Sequence, residues 1–155
     1  MDVSEVVRAG KTLWYRFRGD CVFCKIVGGE ASADVVYEGE NVMAFAPLEK
    51  AMLAEGHLLV VPKEHYESIF DIPAEELGEL MKVIKKISVR LREQGEIDGV
   101  NLLNASGESA QQSISHFHFH LVPRKEGENL DLWPETGYSG SGGEAYDFFK
   151  EILDF

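Results

Sequence analysis

Three histidines alternate with apolar residues late in the chain, and this pattern limits the fold more than any other feature of the sequence. In a β-strand, successive side chains point to opposite faces, so the imidazoles would share one face and the apolar side chains the other. The histidines are His116, His118 and His120, and the apolar residues are Phe117, Phe119 and Leu121. Neighbouring imidazoles would lie roughly 7 Å apart, close enough to contact one polyatomic ligand. A helix would scatter the rings, and the period of two argues against it.

The histidine row also has two simpler interpretations. It could be an amphipathic edge strand whose polar face happens to be histidine, or an adventitious metal-binding tract. A row of uncharged imidazoles, however, has no solubility advantage over Lys, Glu or Thr. The regular two-residue spacing on an apolar-backed strand therefore favours a functional role.

The run from His116 to Val122 resembles the His-x-His-x-His-x-x signature of the histidine triad superfamily of nucleotide hydrolases and transferases, in which x is apolar. Two other segments resemble the same family. Residues 56–65 are similar to its Gly-His-x-Leu-Val-x-Pro-Lys-x-His strand, and residues 21–26 to the opening of its zinc-containing branch. The three segments occur in the family's order and approximate spacing.

The composition narrows the class of protein. A chain of 155 residues that is 45% hydrophobic and 27% charged is typical of one soluble globular domain. Fifteen basic and 27 acidic residues give a net charge of -12, which repels polyphosphate backbones and argues against nucleic-acid binding. No apolar run could span a bilayer, and the N-terminus lacks a secretion signal, so we expect no membrane partner and a cytoplasmic location.

The pattern along the chain predicts an α+β fold, in which one long helix packs on a five-stranded antiparallel meander. Strands are expected at residues 34–38, 41–45, 57–62 and 100–104 and in the histidine segment. The long helix should begin at Pro73 and end before Gly95, because apolar residues recur every three or four positions between them.

Short helices are predicted near both ends, after Cys21 and over residues 144–153. Residues 1–20 are interpreted as an N-terminal extension, within which Val3, Val6 and Val7 could line a short helix. The histidine triad-like domain would then cover residues 21–155, with a C-terminal tail from about residue 125.

The triad suits nucleotidyl transfer, because a neutral imidazole attacks phosphorus well and also leaves well. The middle ring, His118, can be presented only if its far nitrogen donates to a fixed acceptor, which sets the tautomer. The resemblance implies that His118 attacks the α-phosphorus and that water then cleaves the nucleotidyl-histidine. It places His120 beside the non-bridging phosphate oxygens and counts His116 with the catalytic triad.

The resemblance also implies substrate contacts outside the triad. Ser113 and Gln112 match positions that hold the phosphate and leaving group, and Asn104 a position near the phosphate or ribose. For each of these, a loop-capping hydrogen bond is the alternative. Glu49 stands where the family commonly has a ribose-binding aspartate, and Phe45 could pack against the base or simply belong to the core. The sequence departs from the family at Ala110-Gln111-Gln112, where Ala-Gly-Gln is frequent.

Cys21 and Cys24, the only cysteines, have the spacing of half a zinc site and are too few for a secreted disulfide framework. They could instead be a buried reduced pair or a redox pair. The resemblance implies that His57 and His116 complete a closed structural zinc site. His65 could simply cap the region before the long helix.

The leading interpretation is a hydrolase that releases a nucleoside monophosphate from nucleoside phosphoramidates or dinucleoside polyphosphates. One alternative is a nucleotidyltransferase or phosphorylase that uses the same intermediate. The other is a non-catalytic nucleotide-binding adaptor. The resemblance also implies a homodimer, joined through the long helix and an edge strand.

Overall fold

A computed structural model of the protein describes residues 3–8, 11–16, 19–133, 135, 137–140 and 143–153, the first two ranges in backbone only. The strands are β1 (Val3–Arg8), β2 (Lys11–Arg16), β3 (Val35–Glu38), β4 (Val42–Phe45), β5 (Leu58–Pro62), β6 (Gly99–Leu103) and β7 (Phe119–Arg124). The helices are α1 (Val22–Gly28), α2 (Ala74–Glu93) and α3 (Gly143–Ile152). No helix among these is long and apolar enough to cross a membrane.

Five strands form one antiparallel sheet in the order β3-β4-β5-β7-β6. The prediction of an α+β fold with one long helix on a five-stranded antiparallel sheet is therefore confirmed. In this order β7 lies between β5 and β6, and His120 pairs with Leu59 on one side and with Leu103 on the other. Residues directly opposite each other in adjacent strands share a face, so His120 lies on the same face as Leu59.

The long helix α2 follows Pro73, as the pattern predicts. Glu75 and Glu76 lie in its first turn and Arg90 and Arg92 in its last, a distribution that suits the helix dipole. Its buried side chains, Leu80, Val83 and Ile84, pack on β4 and β5. The helix therefore covers one face of the sheet and leaves the other face available for α1 and the site.

Apolar residues of the central strands divide between two cores because alternate side chains point to opposite faces. The cluster beneath α2 includes Val42, Ala44, Leu58, Val60, Phe117 and Leu121. The cluster beneath α1 includes Phe23, Ile26, Val27, Met43, Phe45, Leu59 and Val61. The side of the histidine segment that carries the imidazoles faces this second cluster.

The histidine segment keeps the predicted alternation, although the regular strand begins later than expected. β7 starts only at Phe119, so His116 and His118 precede the strand ladder. In this region the Phe117 N–H donates to the Tyr66 carbonyl oxygen, 2.6 Å away, instead of pairing within the sheet. Phe117 is completely buried beneath α2, while the ring of His118 packs against Phe23 of α1.

At the N-terminus, the suggested helix lined by Val3, Val6 and Val7 is wrong. β1 and β2 form a two-stranded antiparallel sheet in which Val3 pairs with Arg16 and Arg8 with Lys11. β-Branched valines favour extended backbone when a partner strand is available, which the short sequence window could not reveal.

Candidate functional site

A pocket of about 490 Å³ opens on the α1 side of the sheet, where β7, β5 and the loop after β4 meet. Its wall contains five residues for which the sequence predicts a catalytic or substrate-binding role: His118, His120, Ser113, Glu49 and Phe45. His57 also lines it. Apolar side chains from α1 and the loop after β4, including Phe23, Ile26 and Leu48, close the remaining sides. The pocket therefore combines an apolar wall with imidazoles at one end.

The ring of His118 is held by a single well-defined hydrogen bond. Its Nδ1 lies 2.7 Å from the main-chain carbonyl oxygen of His116. A carbonyl can only accept, so His118 carries its proton on Nδ1 and has a free lone pair on Nε2. Only 3% of the residue is exposed. The fixed acceptor expected for a presented imidazole is thus the carbonyl of His116.

The tautomer of His120 is set by a different chain of hydrogen bonds. The Leu53 N–H donates to Nδ1 of His57, 3.1 Å away, so neutral His57 carries its proton on Nε2. That nitrogen lies 3.0 Å from Nδ1 of His120 and donates to it. Neutral His120 is therefore protonated on Nε2. The two triad imidazoles that line the pocket then have opposite tautomers, one suited to attack and one to donation.

The environment keeps these imidazoles neutral. Burial, together with smaller contributions from the nearby rings of His118 and His57, lowers the pKa of His120 to about 4. Burial also lowers the pKa of His57, with a smaller contribution from His118. The pKa of His118 is lowered by burial, against the opposing effect of its hydrogen bond to His116. The tautomer assignments hold because none of these rings needs to carry a charge at neutral pH.

The rings of His118 and His120 have centroids 4.9 Å apart and an interplanar angle of 67°. They lie closer than the roughly 7 Å that the rise of an ideal strand predicts. A phosphoryl group placed at the open end could therefore contact both rings.

Two of the predicted substrate contacts, Asn104 and Gln112, are not among the residues that line this pocket. The Nδ2 of Asn104 donates to the main-chain oxygen of His118 at 2.8 Å, and its Oδ1 accepts from Ser106. Gln112 joins three loop segments: its Nε2 donates to the carbonyl oxygens of Glu67 (2.6 Å) and Ile114 (3.0 Å), and its Oε1 accepts from the Gly107 N–H (2.8 Å). The loop-capping alternative describes both side chains in this geometry.

A second cluster lies next to the triad and has the chemistry of a metal site. One ligand atom each from Cys21, Cys24, His65 and His116 lies within 4.8 Å of the others. Cys24 Sγ is 3.3 Å from His65 Nδ1 and 3.6 Å from His116 Nδ1, and Cys21 Sγ is 3.5 Å from His116 Nδ1. Two sulfurs and two imidazole nitrogens form the ligand set that zinc prefers.

The tautomer of His116 shows that this group fits a cation. Its Nε2 lies 2.9 Å from the Pro62 carbonyl oxygen and must donate to it, which leaves a lone pair on Nδ1. That nitrogen faces the Nδ1 of His65 at 3.2 Å and both sulfurs. Hydrogen bonding from Cys24 lowers the pKa of Cys21 well below its usual range, which favours the thiolate that metals bind. Converging lone pairs of this kind are best satisfied by a bound metal ion.

The predicted ligand set needs one correction, because His57 lies outside this group and His65 takes the fourth position. His57 precedes β5, on the side of the pocket, and contacts His120 instead. His65 follows the end of β5, close to Cys24. The sequence signal that could have identified it is the Pro-Lys-x-His spacing, which carries His65 just past the end of the strand towards the cysteine turn.

Known proteins resemble this chain in sequence over most of its length. The family model for the HIT domain matches residues 28–127. An uncharacterized HIT-like protein of Methanocaldococcus jannaschii is 45% identical over 108 residues, which are 70% of this chain and 81% of that protein. An adenosine 5'-monophosphoramidase of Candida albicans is 35% identical over 136 residues, covering 84% of this chain and 83% of the relative.

A solved structure of a zinc-bound protein shares this fold. The crystal structure of a zinc-bound histidine triad family protein from Mycobacterium smegmatis superposes with a TM-score of 0.68 at 32% identity, covering 86% of this chain and 95% of that one. Together with the matched domain and the arrangement of His116, His118 and His120, these likenesses identify the chain as a member of the histidine triad (HIT) family.

Proposed function

We propose that this protein hydrolyses nucleotides at the α-phosphorus through a nucleotidyl intermediate on His118. The Nε2 of His118 forms a bond to the α-phosphorus as the bond to the leaving group breaks. Water then attacks the same phosphorus, a nucleoside monophosphate departs, and the imidazole is regenerated. The observation that carries this proposal is the hydrogen bond from His118 Nδ1 to the His116 carbonyl, which leaves Nε2 unprotonated at the pocket.

His120 is proposed to stabilise the negative charge that develops on the phosphoryl oxygens. Its Nε2 proton follows from the contact with His57, and a neutral donor in a partly buried pocket needs little reorganisation as charge develops. Ser113, which lines the pocket, is the proposed second donor. In this scheme His116 acts through its main-chain oxygen and does not contact the phosphate.

The proposed substrates are nucleoside phosphoramidates and dinucleoside polyphosphates, with an adenosine nucleotide as the released product. Phe45 and the apolar wall from α1 suit a flat base, and Glu49, at the exposed rim, can accept hydrogen bonds from ribose hydroxyls. The monophosphoramidase activity named for the Candida relative supports the choice of the phosphoramidate class.

We assign zinc to the group of Cys21, Cys24, His65 and His116 and give it a structural role. Four protein ligands would complete the coordination that structural zinc sites have and would leave no open position for a substrate. When bound, the ion would tie the turn before α1 to the end of β5 and to the triad, and it would supply cohesion rather than reaction chemistry.

We further propose a cytoplasmic homodimer whose catalytic domain spans residues 21–155, preceded by an extension. Val100 on edge strand β6 and Met81 and Val89 on α2 are each more than 40% exposed, and dimerisation would cover them. Sedimentation of the wild type and of Val100→Lys tests the dimer, since the variant should sediment as a monomer.

Trapping the intermediate tests the central proposal. Purified protein is mixed with an adenosine phosphoramidate, quenched rapidly at alkaline pH, digested and analysed by mass spectrometry. We expect AMP on His118 in the wild type and none in His118→Ala, whose kcat should fall by on the order of 10⁴-fold or more while nucleotide binding persists. Equal turnover by both proteins would overturn the covalent mechanism.

The same experiment separates the possible fates of the intermediate. If water is the acceptor, the adduct decays to AMP at a rate that does not depend on added inorganic phosphate. If the adduct is consumed faster as phosphate is added and ADP appears, the protein is a phosphorylase and the hydrolase proposal fails. Parallel kinetics with a diadenosine polyphosphate then rank the two substrate classes.

A further inference from the structure

The ring of Phe23 contacts His116, a member of the metal group, and His118, the middle ring of the triad. The residue is 6% exposed and sits in α1 between Cys21 and Cys24, two of the four grouped ligands. Its ring centroid is 5.7 Å from that of His116 and 5.3 Å from that of His118. The segment that supplies both thiols therefore also places an aromatic ring against the ring proposed to attack phosphorus.

The contact with His118 is well suited to fix the plane of the imidazole. The two rings are perpendicular, with an interplanar angle of 90°. The torsion that turns a histidine ring about its own axis is broad, so one hydrogen bond at Nδ1 leaves the ring room to rock. The neighbouring rings of Phe23 and His120, with centroids 5.3 Å and 4.9 Å from that of His118, limit that motion. The direction of the Nε2 lone pair thus depends on packing as well as on the hydrogen bond.

Phe23 is itself braced by neighbours in the core beneath α1. The ring centroids of Phe23 and Phe45 lie 5.4 Å apart, with an interplanar angle of 75°. However, α1 has only seven residues, far fewer than an isolated helix needs to persist in water. Its position must come from core packing and from the cysteines on either side of Phe23. A metal bound by those cysteines would keep α1, and with it the Phe23 ring, against the sheet.

A second connection passes through His116. Its Nδ1 belongs to the metal group, and its Nε2 donates to the Pro62 carbonyl, so the ring is held at both nitrogens. The main-chain oxygen of the same residue accepts the Nδ1 proton of His118. Both the plane of the His118 ring and the position of its proton therefore depend on residues that the metal group holds in place.

We infer, on the premise that His118 is the nucleophile, that Phe23 is a positioning residue and that metal occupancy of the cysteine-histidine group keeps the His118 ring in its attacking orientation. The metal then acts on the rate of attack without contacting the substrate. Loss of the Phe23 ring and loss of the metal should loosen the same imidazole, so their effects should not be additive.

Nitrogen-15 NMR of the imidazoles tests this inference independently of activity. In the zinc-loaded wild type, His118 should show the Nδ1–H tautomer with a slowly exchanging proton. In Phe23→Leu that signal should shift towards a tautomer average and exchange at least about tenfold faster. The control is Val83→Ala, which removes buried apolar volume from the opposite core, beneath α2, and should leave the His118 signal unchanged.

Kinetics provide the second readout. Phe23→Leu should lower kcat by about tenfold or more, because attack is impaired. Phe23 also belongs to the apolar wall proposed to hold the base, so KM should rise as well, and kcat carries the test. Metal removal by chelation should reproduce the NMR change in the wild type and add little in Phe23→Leu. If chelation unfolds the wild type, the inference is decided by comparing the zinc-loaded wild type with zinc-loaded Phe23→Leu and Val83→Ala.

The inference is overturned if Phe23→Leu keeps the wild-type His118 signal and kcat with zinc bound. It is also overturned if chelation of the folded wild type leaves the signal unchanged. Failure of the proposed function would look different: no AMP adduct would form on His118 of the zinc-loaded wild type, whatever the NMR signal.

Discussion

The Nε2 of His57 donates to the Nδ1 of His120 across 3.0 Å, and this contact connects the residue before β5 to the triad on β7. The Leu53 N–H donates to the other ring nitrogen of His57, Nδ1. Both hydrogen bonds therefore donate in the same direction, from Leu53 to His57 and from His57 to His120. As a result, a main-chain amide five residues before β5 determines which nitrogen of His120 carries the proton. His57 is 1% exposed, which protects this arrangement from water.

Replacement of His57 should therefore reduce catalysis through His120. In His57→Ala, His120 loses the donor to Nδ1 and can adopt either tautomer, so we expect kcat to fall by about 10- to 100-fold, somewhat less than direct removal of an oxyanion donor. His57→Gln, whose amide can still donate, should recover part of the loss. Steady-state kinetics on an adenosine phosphoramidate measure both variants. Identical kcat values for His57→Ala and the wild type would contradict this role.

Metal analysis should separate His57 from His65. We expect one zinc per chain in the wild type and in His57→Ala, and much less in His65→Ala, because only His65 belongs to the four-residue group. Zinc at a free concentration of about 100 times its dissociation constant stabilises the fold by about 2.7 kcal/mol. A variant that no longer binds it loses this amount, so the melting temperature of His65→Ala should fall by about 5–10 °C. Zinc loss from His57→Ala, with retention in His65→Ala, would restore the ligand set expected from the sequence.

The contrast between these histidines shows where the sequence is informative and where it is not. Histidines and apolar residues alternate around His118 with a local period of two, so the sequence alone predicts which side chains share a face. Which histidine completes the cysteine pair depends on where the chain goes after β5, and that is a tertiary property. His57 and His65 lie on either side of β5, so residue type alone could not distinguish them. His57, before the strand, lies at the pocket, and His65, after it, lies beside the cysteines.

Asn104 and Gln112 illustrate a second limit of the sequence. The family resemblance predicts that both side chains contact the substrate, and each amide can donate two hydrogens. In the structure their amides are taken up by main-chain oxygens of His118, Glu67 and Ile114. Competition between substrate and backbone for the same donor is decided by loop geometry, which the sequence does not contain.

Acid should destabilise the fold through His120. In the unfolded chain this imidazole takes up a proton near its ordinary pKa of 6.5, whereas in the folded protein its pKa is about 4. The unfolded state therefore binds more protons between these values, and stability falls as the pH falls from about 6.5 to about 4. His57 has a lowered pKa as well and acts in the same direction.

Thermal melts of the wild type and of His120→Gln across this pH range measure the effect. The variant should lose less stability than the wild type, because it lacks the proton uptake at position 120. Any release of zinc in acid occurs in both proteins, so the difference between their curves reports on His120. Parallel curves would mean that its pKa is close to the unfolded value.

The loop before the triad contains a strained residue whose replacement should stabilise the protein. Gln111 has a φ of 66°, in the left-handed region, at the end of the short 3₁₀ turn Glu108–Ala110. This conformation costs an L-residue about 1–2 kcal/mol and glycine almost nothing, while glycine gains about 0.5–1 kcal/mol of entropy in the unfolded chain. Gln111→Gly should therefore raise the free energy of unfolding by about 0.5–1 kcal/mol.

Gln111→Ala is the matched control, because it removes the same exposed side chain but keeps the Cβ atom that makes the conformation costly. Urea unfolding should show a higher midpoint for the glycine variant and a midpoint near that of the wild type for the alanine variant. The slope should be unchanged in both, since the exposed area on unfolding is the same. Equal stabilisation by glycine and alanine would mean that the side chain of Gln111, rather than its backbone, destabilises the loop.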